Sequence, residues 1–313
     1  MSGWQPRQLA EQTGRTVVIT GANSGIGLAA ARDLVGRGAH VVLACRDTAA
    51  GDRALASILA GARGTAEVRE LDLADLDSVA AFAKGLTEQL DADGRSLNAL
   101  VCNAGVMGGP PLFTSQGFER QMGTNHLSHT ALITALWPAL HLAGGRVVLV
   151  SSIAARGGRL SASSTTQDLV APTPYDAQRV YANTKQANLL LAQELHRRVV
   201  AAGSPVSVVA VHPGVAWTNL FARQLREQGR GYLVLPLSLV RPVVFQSAAA
   251  GALPTLRALD SSTPSGAFVG PKAFNQFRGR PELLEVYTTG RDPDVAARLV
   301  QLTEEVLGTA LPV

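Results

Sequence analysis

Short apolar runs rich in β-branched residues alternate with stretches whose apolar positions recur every three or four residues. The runs Thr16–Thr20, His40–Ala44, Ala66–Leu71, Leu97–Cys102, Arg146–Ser151 and Val206–Val211 predict six strands. The intervening spacing predicts helices over Ile26–Arg37, Ala49–Ala60, about Leu76–Leu90, roughly Ser115–His141 and roughly Pro174–Val200. Strands that are apolar on both faces imply a parallel sheet covered by helices on both sides. Right-handed crossovers wind such a sheet doubly, and ligands meet it at the carboxyl ends of the strands. Gly266–Val269, after a helix near Phe245–Leu259, adds a candidate seventh strand. The expected class is α/β: a doubly wound parallel sheet of about seven strands with helices on both faces. No repeat or compositional break divides the chain, so one domain over 1–313 is expected.

Composition narrows the possibilities. The chain has 313 residues, 46% of them hydrophobic and 17% charged, which supports a substantial core and argues against disorder. The net charge of +4 is scattered without a basic block, so no nucleic-acid partner is expected. Cys45 and Cys102 stand in no metal-ligand or CxxC spacing, so neither a metal site nor a disulfide framework is expected. Met1–Thr16 is polar and lacks the apolar core of a signal peptide. Tyr232–Phe245 is interrupted by Pro236, Arg241 and Pro242, and is shorter than the ~20 residues a spanning helix needs. A cytoplasmic protein with no integral membrane span is the expectation.

The first strand runs directly into Gly21-Ala22-Asn23-Ser24-Gly25-Ile26-Gly27, and a helix follows. A strand, a glycine loop and a helix N-terminus together make a phosphate cradle. Gly21 permits the tight turn, Gly25 lets backbone approach a pyrophosphate, and Gly27 lets the helix pack close to the sheet.

The spacing is TGxxxGxG, and here the chain resembles the short-chain dehydrogenase/reductase superfamily. Further matches follow in order: Asp72-Leu73, Asn103-Ala104-Gly105, Asn125, Ser152, Tyr181 with Lys185, Pro213-Gly214 and Thr218. They cover about residues 14–220. The resemblance implies a Rossmann fold, with 14–212 as cofactor and catalytic core and 213–313 as substrate lid and C-terminal extension. It implies a nicotinamide cofactor held by Gly21, Asn23, Ser24, Gly25, Ile26, Gly27, Asp72, Leu73, Asn103, Ala104, Gly105, Tyr181, Lys185, Pro213, Gly214 and Thr218. Asn125, Ser152, Tyr181 and Lys185 are the implied catalytic residues, with Asn125 holding a water that relays protons towards Lys185. Family members often pair through their two long helices, which implies a homodimer or homotetramer unless the extension from about Gly270 blocks that contact. A Ser/Thr-rich insert, Ser161–Thr166, lengthens the stretch before Tyr181. That insert, Ala44–Asp47, Asn125–His129 and Lys185–Leu189 resemble the subgroup of retinol dehydrogenases and light-dependent protochlorophyllide reductase.

Arg46 follows the second strand, and its planar guanidinium suits a 2′-phosphate, which favours NADP(H). Asp47 is expected to cap the next helix; were it to take the ribose instead, NAD(H) would be preferred. Tyr181 and Lys185 are four apart on one helix face. A free tyrosine titrates near ~10, too high for acid–base work, and a nearby ammonium favours its phenolate. Ser152 would stabilise charge on the substrate oxygen. Tyr175 and Ser151 compete for these roles and are expected to be structural. His126, His129 and His141 are expected to pack or face solvent, and His212 to shape a turn. Trp217, Leu220, Phe221, Tyr232, Leu233, Leu235 and Leu237 form an apolar segment. It either closes over a small hydrophobic carbonyl or alcohol substrate or simply packs the C-terminal region. Two alternatives stay open: reduction of a C=C bond, as in protochlorophyllide reductase, and a non-catalytic NADP(H)-binding sensor.

Overall fold

Val17 and Ile19 face one side of the first strand and Val18 the other, and all three are buried. The same alternation in the neighbouring strands builds a sheet with two apolar faces. In the computed structural model, which describes residues 4–215 and 245–313, eight strands pair in the order β3-β2-β1-β4-β5-β6-β7-β8. They are β1 Thr16–Thr20, β2 His40–Cys45, β3 Thr65–Glu70, β4 Leu97–Cys102, β5 Arg146–Val150, β6 Ser207–Val211, β7 Phe268–Ala273 and β8 Arg278–Leu284. All neighbours are parallel except the last pair, β7–β8. The strand order reverses between β1 and β4, which opens a crevice at their carboxyl ends.

Helices cover both faces. On one lie α1 (Gly25–Gly36), α2 (Thr48–Leu59) and α8 (Ala248–Leu259), burying Leu34, Ile58 and Leu256. On the other lie α3 (Leu76–Ala92), α5 (Ser128–Leu142) and α7 (Ala177–Ala201), burying Phe82, Leu136 and Leu195. Between them in sequence come two short helices, α4 (Arg120–Met122) and α6 (Thr166–Val170). A last helix, α9 (Pro293–Leu307), packs outside α7, with Ala296, Leu299 and Leu302 against Met122, Leu127 and Leu190.

Predicted and observed elements differ in instructive places. The helix expected from Ser115 begins at Arg120, because Thr114–Phe118 closes a turn and Glu119 accepts the Met122 amide as N-cap. It then passes through a π-helical turn, Gly123–Leu127, before α5 begins. The helix expected from Pro174 begins at Ala177, capped by the Asp176 carboxylate. The strand count rises from about seven to eight. β8 returns antiparallel after Phe274, Asn275 and Gln276, which all have positive φ. It carries Pro281 and stands at the sheet edge, where a missing donor is tolerated. Neither β8 nor α9 was expected. Among the described residues no helix is long and apolar enough to cross a membrane.

Leu136 is fully buried between α5 and the sheet. Leu136→Ala should cost about 2–5 kcal/mol, read as a lower urea midpoint with little change in slope.

Candidate active site

The β1–β4 crevice opens into a cavity of about 480 Å³. Its walls bring together most of the residues singled out in the sequence: Gly21, Asn23–Gly27, Asn103–Gly105, Ser152, Tyr181, Lys185, Pro213 and Gly214. Met107, Ile153, Ala154, Gln178 and Val215 also line it and carried no motif. Thr218 and the apolar run from Trp217 to Leu237 lie outside the described residues.

The glycine loop has the shape its spacing requires. Gly21 and Gly25 adopt positive φ, 67° and 59°, which side chains other than glycine rarely tolerate. A Cβ on Gly27 would fall 2.6 Å from Asn103 Nδ2, so glycine is what allows α1 to meet the β4 turn. Ser24 occupies the N-cap of α1 without its side chain capping the helix. The first residues of α1, Gly25, Ile26 and Gly27, line the cavity with Ser24 leaving the helix end uncapped, and a pyrophosphate fits such a donor set. Just after β2, Asp47 is committed to capping α2, accepting the Ala50 amide at 2.8 Å. Arg46 remains largely exposed, 4.0 Å from the Asp72 carboxylate. Asp72 in turn accepts the Ala74 amide, and Leu73 is buried.

Thr20 ties the loop to the β4 turn. Its hydroxyl accepts the amides of Asn103 and Ala104, both at 2.9 Å, while Asn103 Nδ2 donates to the Thr20 carbonyl at 2.8 Å. The hydroxyl proton goes to His129 Nε2, 2.9 Å away. Burial lowers His129 to about 4 and keeps the ring neutral, and its Nδ1 donates to the Asn125 carbonyl at 3.0 Å, which places the proton on Nδ1. Asn125 spends its side chain on backbone, exchanging hydrogen bonds with Val106 N and O at 2.7 and 2.9 Å, and also donates to Thr184. Its side chain thus shapes the loop behind Gly105 rather than lining the cavity.

α7 presents Tyr181 and Lys185 on one face, the ammonium 5.8 Å from the ring centroid. Burial pushes Tyr181 up to about 12, partly offset by a hydrogen bond with the Ser152 hydroxyl. Burial lowers Lys185 to about 8. Without a further positive charge the phenol therefore stays protonated at neutral pH. The rivals are occupied elsewhere. Ser151 Oγ donates to the Lys185 carbonyl at 2.6 Å, and Tyr175 hydrogen-bonds with Glu119, Gln121 and the Gly109 carbonyl. The cysteines are the last residues of β2 and β4, buried and raised by burial, Cys45 to about 11.

His212 accepts the Gly214 amide on Nδ1 at 3.2 Å and shapes the Pro213-Gly214 turn, as its position suggested. Gly214 has φ 70°, and a Cβ there would lie 2.5 Å from the Phe277 carbonyl. The β7–β8 hairpin thus braces this wall, with Val215 N donating to the Phe277 carbonyl at 2.8 Å. The sequence held a signal for part of what was missed. His129 stands four residues after Asn125, and Asn188 three after Lys185, both helical contact spacings.

Residues 15–166 match the model of the short chain dehydrogenase family. Human retinol dehydrogenase 14 is 35% identical over 311 residues, covering 94% of this chain and 87% of that protein. Human retinol dehydrogenase 12 is 41% identical over 209 residues, 66% of this chain, and the chain spans 63% of its length. The crystal structure of an uncharacterised protein from Mycobacterium paratuberculosis matches with a TM-score of 0.80 and 39% identity, covering 100% of both chains. A short-chain dehydrogenase from Sphingobium yanoikuyae in complex with NADPH matches with a TM-score of 0.58 and 26% identity, covering 78% of this chain and 83% of that one. The chain belongs to the short-chain dehydrogenase family of oxidoreductases, in the subgroup that resembles the retinol dehydrogenases.

His126, His129 and His212 are buried and each lowered by burial to about 4. An unfolded chain protonates its histidines near ~6.5 while the native state resists, so stability present above that value is lost as pH falls towards 4. Each should contribute about 1.4 kcal/mol per pH unit in this window, and His126→Asn should flatten the measured slope of unfolding free energy against pH.

Proposed function

We propose that this protein is an NADP(H)-dependent oxidoreductase interconverting a carbonyl and a primary or secondary alcohol on a hydrophobic substrate, with Tyr181 as acid–base. The observation that carries the reading is convergence: the glycine loop, Ser152, Tyr181 and Lys185 line one cavity at the switch point of the sheet. When bound, the cofactor supplies or takes up hydride. Tyr181 gives its proton to the substrate oxygen during reduction and takes it back during oxidation. Ser152 donates to the same oxygen and stabilises charge developing there. Lys185 holds ribose hydroxyls and lowers the cost of the phenolate. The Asn103 turn and the N-terminus of α1 hold the dinucleotide, and Arg46 takes the 2′-phosphate.

Two facts support NADP(H) over NAD(H). Asp47 is spent on its helix cap, and Arg46 keeps an exposed guanidinium at the adenine end. The Sphingobium yanoikuyae relative in complex with NADPH is consistent with this preference. Residues 14–212 serve as cofactor and catalytic core, and 213–313 complete the substrate side of one domain. Met107, Ile153, Ala154 and Val215 give the cavity apolar wall, which suits a hydrophobic carbonyl. A homodimer or homotetramer belongs to the same proposal; a monomer by light scattering at micromolar concentration would remove it.

Fluorescence titration of the full chain should give tighter binding of NADPH than NADH, with the order reversed in Arg46→Glu. Preference for NADH in the unaltered protein would instead assign the ribose contact to Asp47. In a carbonyl screen with NADPH, Tyr181→Phe should lose about 100-fold or more in kcat while retaining cofactor affinity. Undiminished turnover in that variant would refute Tyr181 as the acid.

A further inference from the structure

Lys185 is 4% exposed, and its Nζ donates to the Val150 carbonyl at 3.0 Å. The same carbonyl receives Asn188 Nδ2 at 3.2 Å. Asn188 lies nearly one turn further along α7, is buried, and also donates Nδ2 to the Asn125 carbonyl at 3.0 Å. His129 Nδ1 reaches that carbonyl as well. The orientation of the amide is fixed from behind. Asn188 Oδ1 can only accept, so His126 Nδ1, 3.3 Å away, carries a proton, and its Nε2 accepts from the Thr303 hydroxyl of α9 at 3.0 Å. Backbone carbonyls beside a buried ammonium are natural acceptors for it. Here the neutral Asn188 amide shares the Val150 carbonyl with the ammonium, and with His129 it fills the Asn125 carbonyl.

We propose that Asn188 is the positioning residue of Lys185: by sharing the Val150 carbonyl with the ammonium, it weakens that carbonyl's hold on the lysine and leaves the ammonium free to turn to the cofactor cleft. His129 and His126 hold the amide and its acceptors in register. The inference rests on the reading of Lys185 as the ribose-holding lysine of the site. The titratable groups facing Lys185 are Tyr181 on its own helix, Cys102 from β4 and His129 from α5, with His126 behind. All four are neutral at pH 7: burial raises the phenol and the thiol and lowers both imidazoles. The carbonyls and their donors therefore bear directly on when the lysine gives up its proton.

The test is NADPH affinity as a function of pH, followed by nucleotide fluorescence on the full chain. Burial lowers Lys185 to about 8, so affinity should weaken as pH rises through that value and the ammonium is lost. Asn188→Leu removes the amide at similar volume. The Val150 carbonyl, relieved of its second donor, then holds the ammonium more strongly, so the midpoint should move up by roughly one pH unit, a tenfold rise in proton affinity. An ammonium held more firmly at that carbonyl should also weaken NADPH binding at pH 7 by roughly tenfold, the lower range for a charged hydrogen bond. If Asn188→Leu does not fold, Asn188→Ser carries the same comparison with a smaller shift in the same direction. An unmoved midpoint with only a lower melting temperature would mean that Asn188 merely packs the interior, and would overturn the inference while leaving the dehydrogenase reading standing. Unaltered protein that binds neither NADPH nor NADH would overturn both.

Discussion

The Thr20 hydroxyl accepts two amides from the β4 turn and gives its proton to a neutral imidazole. It is fully buried, so water offers no substitute for any of these partners. Three segments far apart in sequence meet at this oxygen: the start of the glycine loop, the Asn103-Ala104-Gly105 turn and the helix run that carries Asn125. In a low-dielectric interior, leaving even one such donor unpaired costs about 1–3 kcal/mol. The arrangement therefore tolerates little drift between the wall expected to hold the pyrophosphate and the wall expected to hold the nicotinamide. Gly27 and Gly105 complete the constraint from the other side by letting backbone and side chains approach where a Cβ would collide or crowd.

Much of the fold was legible because its strands are apolar on both faces and its helices are periodic. Six parallel strands from Thr16 to Val211 could be read to within a residue or so at each end. The beginnings of the long helices could not. At Arg120 and Ala177 the limit is set by a capping carboxylate, Glu119 or Asp176, and apolar periodicity does not encode that choice between acceptor and continued helix. β8 was missed for a different reason. Its sequence, with Arg278, Arg280, Pro281 and Glu282, is that of an edge strand, polar and short of the β-branched residues that mark a buried one. α9 carried readable signals, Asp292 as N-cap, Pro293 as its first residue and Gly308 just after it.

The site was legible where chemistry forces a residue type and illegible where geometry does. Glycines at Gly21, Gly25 and Gly27 and the Tyr181–Lys185 spacing announce themselves, since few other residues serve. Met107, Gln178 and Val215 reach the cavity only because of how loops and helix ends are packed. Asn125 shows both sides. Its presence was readable, but its side chain is occupied by the Val106 backbone and its carbonyl by two side-chain donors, an arrangement only coordinates reveal.

The hydroxyl of Thr303 reaches His126 from α9, and that contact makes α9 an architectural member of the centre. The first two thirds of such a chain look portable, because they bear the family match and nearly all the motifs. Grafted onto a foreign C-terminal third, they would keep every recognised signature and lose the anchor behind His126 and Asn188. For chimeras and for divergence among relatives alike, the unit that can be exchanged is larger than the stretch its motifs delimit.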